Sequence, residues 1–241
     1  MDIVKFVEEK IEKFLKDYQP KTLSIDLDNL NINRYIDHTN LKPTATSDDI
    51  RQFCNEALEY KFKGVCVNPS FVPLASDILK GSGVLTVTVV GFPLGTTSTA
   101  SKVSETKWVV ENGAQEVDMV IHIGKLKEKD YEYVYNDIKA VVDAAKVPVK
   151  VIIETCYLTD EEKVAACVLS KLAGAKFVKT STGFGTAGAK VEDVQLMYWA
   201  VDGEIEVKAS GGIRTYEDAI NMIKSGATRV GTSSGTNIVK R

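Results

Sequence analysis

The stretch GAKFVKTSTGFGTAG (residues 174–188) opens as a buried strand should, then sets Lys179 between Val178 and Thr180. Its opening pattern recurs. ENGAQEVDMV (111–120), LAGAKFVKT (172–180) and KSGATRVGT (224–232) each close a helical stretch with glycine, continue with alanine and enter an apolar run. Glycine supplies the left-handed residue that turns a helix off. Working outward gives eight short strands: RYIDHT (34–39), GVCVNP (64–69), VLTVTVVGF (84–92), EVDMVI (116–121), VPVKVIIET (147–155), FVKTST (177–182), EIEVKAS (204–210) and TRVGTSS (228–234). Segments of helical period separate most of them, from SDDIRQFCNEALEYKF to TYEDAINMIKSG. Three carry a capping-box start, Thr46/Asp49, Thr159/Glu162 and Thr215/Asp218. Such alternation fits a closed (β/α)8 TIM barrel or a doubly wound open sheet. Gly183, Gly185 and Gly188 spell the G-x-G-x-x-G of a dinucleotide fold, but in the sixth unit, whereas such folds open with it. The barrel is the expected fold class.

In a barrel, alternate residues of each strand face the axis. Period two then groups Phe177 with Lys179, Glu206 with Lys208 and Ser210, Glu116 with Asp118, and Lys150 with Ile152 and Glu154. Val117, Val151, Val178 and Val207 face the helices instead. Unpaired buried charge is costly, so charges inside a barrel are either paired structurally or used. Two lysines on adjacent strands repel each other, which is a poor way to gain stability and a good way to make an amine nucleophilic. An unperturbed lysine titrates near about 10.4, so only roughly one in 2,500 is neutral at pH 7. A neighbouring cation and burial both lower that value. A neutral amine adds to a carbonyl to give an imine, and a protonated imine is an electron sink for C–C cleavage. Lys179 and Lys208 are the candidate pair, and Asp118 a candidate to move protons directly or through water.

The glycine-rich turns ASGGIRT (209–215) and GTSSG (231–235) follow the last two strands, where this fold commonly binds phosphate. Gly211, Gly212, Ser233 and Ser234 suit that task, with Arg214 as an added charge. The expected ligand is a phosphorylated carbonyl compound. Two rival functions share this scaffold: a phosphosugar isomerase or synthase using Asp118 and Glu154 as acid and base, and a non-catalytic phosphate-ligand binder.

The chain has 241 residues, 44% of them apolar and 26% charged, with a net charge of -3. No basic stripe points to nucleic acid or an anionic membrane, and no apolar run reaches the roughly 18 residues of a membrane span. Cys54, Cys66, Cys156 and Cys167 form no C-x-x-C pair and read as free thiols of a reducing cytosol. Cys66 is expected to be a small core residue whose strand position aims it at the mouth of the barrel. His38 and His122 read as hydrogen-bonding residues and not as metal ligands.

YIDHTNLKPTAT (35–46), CVNPSFVP (66–73), VVGFPLG (89–95), EVDMVI, KVIIETCYL (150–158), FVKTSTGF (177–184), VKASGGIR (207–214) and GTSSG together resemble the deoxyribose-phosphate aldolases, over about residues 34–237. The resemblance implies reversible cleavage of 2-deoxy-D-ribose 5-phosphate to D-glyceraldehyde 3-phosphate and acetaldehyde, with no metal and no organic cofactor. It implies Lys179 as the imine-forming lysine, Lys208 as the lysine that perturbs it, and Asp118 as the carboxylate of the proton transfer. It also places Asp37 and Thr39 near the substrate, and Gly183, Gly211, Gly212, Ser233 and Ser234 around the phosphate. Two departures stand out. Some members carry a lysine after KTSTG, where this chain has Phe184. Some end in a tail with a terminal tyrosine, where this sequence reads TNIVKR (236–241). The expected organisation is a helical extension over residues 1–33 and a barrel over 34–241. The first helix, with Ile3, Val7, Ile11, Phe14 and Tyr18 at helical spacing before Pro20, is expected to pack on the barrel or, the favoured option, on a second subunit. A cytoplasmic homodimer or homotetramer is the expected setting.

Overall fold

The structure, a computed structural model, describes residues 2–240; Met1 and Arg241, the outer ends of the two expected segments, lie outside the described residues. Its elements in chain order are α1 (Ile3–Asp17), β1 (Ile36–Asn40), α2 (Ser47–Tyr60), β2 (Gly64–Val67), α3 (Val72–Leu79), β3 (Leu85–Val90), α4 (Thr99–Glu111), β4 (Glu116–Val120), α5 (Ile123–Lys127) and α6 (Tyr131–Ala145). There follow β5 (Val149–Ile152), α7 (Asp160–Leu172), β6 (Phe177–Lys179), α8 (Val191–Ala200), β7 (Glu206–Ser210), α9 (Tyr216–Lys224), β8 (Arg229–Thr232) and α10 (Gly235–Val239). All eight strands are parallel and close in sequence order, β8 pairing back onto β1. The barrel expectation holds, and the open-sheet alternative falls. Among the described residues, no helix is long and apolar enough to cross a membrane.

Local signals account for the boundaries. All three capping boxes form, at Thr46, Thr159 and Thr215. Gly113, Gly174 and Gly226, the glycines of the recurring pattern, have φ of 105°, 86° and 112°, which a side chain would resist. The outward valines Val117, Val151, Val178 and Val207 are fully buried in the layer between strands and helices. That layer is one continuous core, and a second, small apolar cluster of Leu41, Cys66, Val87 and Val89 lies apart from it. In β3 register, Val87 stands beside Glu116 and Val89 beside Asp118, so this small apolar cluster adjoins the charged strand β4.

The N-terminal helix takes the first of its two expected places: α1 packs on its own barrel, against α7 and α6. Val7 is fully buried, and the rings of Phe14 and Tyr18 lie 6.0 and 5.6 Å from that of Trp199. Lys10 sits 4.2 Å over Trp199 and 2.6 Å from Asp202. The linker is then pinned by the Leu23 amide donating to the Lys224 carbonyl at 2.7 Å. An amphipathic helix needs only one apolar partner, and the surface of α7 and α8 supplies it.

Candidate active site

Strands β4 to β8 and β1 send charge inward, and the side chains meet around Asp118. Asp118 is fully buried; its Oδ2 accepts from Lys179 at 2.8 Å and from Lys208 at 2.8 Å, and its Oδ1 from Lys150 at 2.8 Å. Lys179 and Lys208 are lateral neighbours in the β6–β7 register, as period two requires. Behind them Asp37 accepts from Lys208 at 2.5 Å and from Arg229 at 2.8 Å. Glu116 pairs with Arg229 at 2.7 Å and with Lys150 at 2.6 Å. Room for this comes from two glycines: Gly64 and Gly231 are the register partners of Asp37 on β2 and β8. A Cβ on Gly64 would stand 3.1 Å from Asp37 Oδ1, and one on Gly231 would stand 3.1 Å from Lys208 Cε.

Burial and pairing divide the two lysines. Burial is the main cause that lowers the Lys179 pKa below the ordinary lysine value; Asp118 opposes it, and Lys208 adds to it. The effect of the second cation is therefore real but secondary to desolvation. Burial also acts on Lys208, yet Asp118 and Asp37 outweigh it and hold that amine above the ordinary value. Asp118 itself is pushed up by burial, but Lys150, Lys179 and Lys208 overcome this and keep it well below the usual carboxylate range. Lys208 stays an ammonium and Asp118 a carboxylate at neutral pH, leaving Lys179 as the amine able to lose its proton.

A cleft of about 390 Å³ opens at the carboxyl ends of the strands and reaches Lys179. Its walls include Thr39, Gly183, Phe184, Gly211, Gly212, Arg214 and Ser233, with Lys42 on the β1 side. Thus Thr39, Gly183, Gly211, Gly212 and Ser233 line it together. Asp37 and Ser234 do not: Asp37 lies beneath, holding Lys208, and the Ser234 amide donates to Thr232 Oγ1 at 2.9 Å. Phe184 is half exposed, its ring 5.5 Å from Phe92 in an edge contact. The loops carrying these residues touch at Gly188, where a Cβ would fall 2.2 Å from the Gly211 carbonyl oxygen.

Several expectations change. Glu206 is not interior; as the first residue of β7 it pairs with Lys176 at 3.2 Å and accepts from Thr228 at 2.7 Å at the rim, because Phe177 fills the space beside it. Glu154 is buried but lines no part of the cleft: in a left-handed conformation (φ 55°), it accepts from the Thr182 hydroxyl and, at 3.1 Å, the Thr182 amide. It holds a loop and is not placed as an acid or base. Cys66 points into the barrel interior toward Lys179, with Val65 and Val67 in the outer layer as alternation expects, and it is fully buried, its thiol pushed up to about 11, chiefly by burial. His38 Nε2 meets Glu56 at 2.6 Å and His122 Nδ1 accepts from the Lys125 amide at 3.2 Å, both hydrogen-bonding roles. Arg229 was missed because its strand was read from Thr228 without its inward face; period two through Gly231 would have found it.

The sequence profile of the DeoC/LacD family aldolases matches residues 32–241. A deoxyribose-phosphate aldolase of Carboxydothermus hydrogenoformans is 64% identical over 214 residues, covering 87% of this chain and 94% of the relative. A crystal structure described as a putative deoxyribose-phosphate aldolase from Coccidioides immitis superposes with a TM-score of 0.94 at 44% identity, covering 99% and 97% of the two chains. The deoxyribose phosphate aldolase of Aeropyrum pernix, described as having a unique tetrameric structure, superposes with a TM-score of 0.82 at 32% identity, covering 98% and 95%.

Proposed function

The chain belongs to the DeoC/LacD family of aldolases, and from that premise we propose that it cleaves 2-deoxy-D-ribose 5-phosphate reversibly to D-glyceraldehyde 3-phosphate and acetaldehyde through an imine on Lys179. The observation that carries this reading is Lys179 itself, an amine of lowered pKa at the foot of the cleft beside a lysine that stays charged. Neutral Lys179 attacks C1 of the open-chain sugar, and the carbinolamine loses water to give the iminium. Removal of the C3 hydroxyl proton breaks the C2–C3 bond, its electrons passing into the iminium to form an enamine. Protonation at C2 and addition of water release acetaldehyde and return the amine. Asp118 and Lys208 serve the proton transfers, directly or through water: the first is held as an acceptor, the second as a donor. In water the iminium would compete with free hydration; at the bottom of a buried barrel, its charge meets Asp118 instead.

The phosphate end is assigned to Gly183, Gly211, Gly212 and Ser233, with Ser234 next to them and Arg214 and Lys42 as the cations of that wall. Gly211 and Gly212 have φ of 85° and 79°, a conformation that turns successive amides toward an anion. Asp37 serves by holding Lys208, and Thr39 by lining the cleft. The extension of residues 1–33 and the catalytic barrel of 34–241 act in one cytoplasmic chain that assembles as a homodimer or homotetramer, a reading supported by the tetrameric relative. The test is turnover of 2-deoxy-D-ribose 5-phosphate, followed by acetaldehyde release. Lys179→Arg, which keeps charge but cannot form the imine, is expected to abolish it. Retained turnover in that variant would favour acid–base chemistry of the isomerase kind.

A further inference from the structure

Of the seven charged groups at the barrel centre, Asp118 among them, six close on themselves. Lys208 joins Asp37 and Asp118 at 2.5 and 2.8 Å, and Lys150 joins Asp118 and Glu116 at 2.8 and 2.6 Å. Arg229 completes the circuit between Glu116 and Asp37 at 2.7 and 2.8 Å. Three carboxylates thus alternate with three cations around the barrel interior, and the ring is neutral as it stands. Lys179 hangs outside it, reaching Asp118 at 2.8 Å and, among the described residues, no other carboxylate. Each ring cation has two carboxylates, whereas Lys179 shares one that two other lysines already use.

We propose that Glu116 and Arg229, which line no part of the cleft, are positioning residues that set the protonation of Lys179 by closing a neutral ring and leaving that lysine as the surplus cation. This rests on the imine-forming role given to Lys179 above. A net charge in a space of low dielectric is expensive, and the cheapest relief is a proton lost from the cation with fewest anions. Arg229 cannot supply that proton. Loss from Lys150 or Lys208 would strip two carboxylates of a partner, while loss from Lys179 leaves every carboxylate paired. The groups facing Lys179 are Asp118 from β4, Lys208 from β7 and the Cys66 thiol from β2; beyond them stand Lys150 from β5, Asp37 from β1, Arg229 from β8 and Glu116 from β4. The directions agree: Lys179 is lowered, with burial the main cause, whereas Lys208 and Arg229 end above their ordinary values because their carboxylates outweigh burial. Phe177 packs beside the ring, 5.6 Å from Lys150 Nζ and 5.2 Å from Arg229 Cζ.

The test reads Lys179 directly. Acetaldehyde is added across a pH series, the adduct is trapped with borohydride, and labelling of the Lys179 peptide is measured by mass spectrometry. Arg229→Gln removes a cation and is expected to move the labelling midpoint alkaline; Glu116→Gln removes an anion and moves it acid. Each shift is about one pH unit, the effect of a unit charge two ion pairs away at an effective dielectric of about 20. The neutral double variant Glu116→Gln/Arg229→Gln returns to the parental midpoint, and Arg229→Lys stays near it. A structural role alone would not give opposite signs that cancel. If Arg229→Gln does not fold, the acid shift of Glu116→Gln and its cancellation in the double variant carry the test. Unmoved midpoints, or shifts of the same sign, overturn the ring. A parental protein never labelled at Lys179 overturns the catalytic reading, and the ring proposal with it.

Discussion

Replacing Lys102 by methionine tests how the end of β4 is held. Lys102 is fully buried on α4, donating to Asp137 of α6 at 2.6 Å and to the Val120 carbonyl at 2.9 Å. Val120 ends the strand that carries Asp118, so this pair fixes the carboxyl end of β4 from outside the barrel. Burial lowers the Lys102 pKa, with Asp137 opposing. Methionine matches the length of the stem but leaves the Asp137 carboxylate 1% exposed and without its cation. Breaking one side of such a pair costs about 3–5 kcal/mol. For a chain of this size, about 2–4 °C of melting temperature is lost per kcal/mol, so Lys102→Met is expected to melt roughly 6–20 °C lower. Adding Asp137→Leu removes the orphaned charge and is expected to recover most of the loss, since the remaining Thr99 hydroxyl is only half-buried and can turn to water. Circular dichroism melts and urea titrations measure both. A single variant within about 0.5 kcal/mol of the parent, the range of an ordinary surface change, would refute the reasoning. So would a double variant no more stable than the single one.

Three other outcomes follow from the geometry. Gly188→Ala drives a Cβ into the Gly211 carbonyl, and is expected to raise KM for 2-deoxy-D-ribose 5-phosphate about tenfold, roughly 1.4 kcal/mol, with less effect on unphosphorylated deoxyribose; equal effects on both would place the strain elsewhere. Lys208→Leu is expected to cost at least about a hundredfold in kcat/KM and to move the acid limb of the pH profile upward, because a cation that lowers Lys179 is gone; an unchanged limb would contradict this. Asp37 and Asp118 both end below their ordinary values because their cations outweigh burial, so the unfolded chain binds more protons than the folded one in acid. Their stabilisation is complete above about pH 4 and is lost as pH falls through the lowered folded values, and the urea midpoint should drop steeply from about pH 4 downward. A midpoint flat over that range would contradict the depressed values.

The barrel was legible because its signals are local. Period two on short strands, glycine at the helix ends and Thr capping boxes each act over a few residues, and each appears in the structure. Lys179, Lys208 and Asp118 were legible for the same reason: an ionisable residue inside an apolar run has only two faces to choose between. The partners were not. That Asp37 holds Lys208 and Arg229, rather than lining the cleft, depends on β8 closing onto β1, a contact across 192 positions of sequence. Glu206 shows the opposite limit, since period two gives the side of a strand but not how deep along the axis a residue sits. The place of α1 was decided by Trp199, whose exposure no periodicity on α1 reveals.

The most direct test of the central claim is the covalent one. The protein is incubated with acetaldehyde, reduced with borohydride, weighed intact and then mapped by peptide mass spectrometry. The expected result is one added ethyl group per chain, on Lys179, absent without reductant and absent in Lys179→Leu. A folded protein that binds inorganic phosphate yet gains no adduct, or gains it on Lys208 instead, would contradict the assignment of Lys179 as the nucleophile.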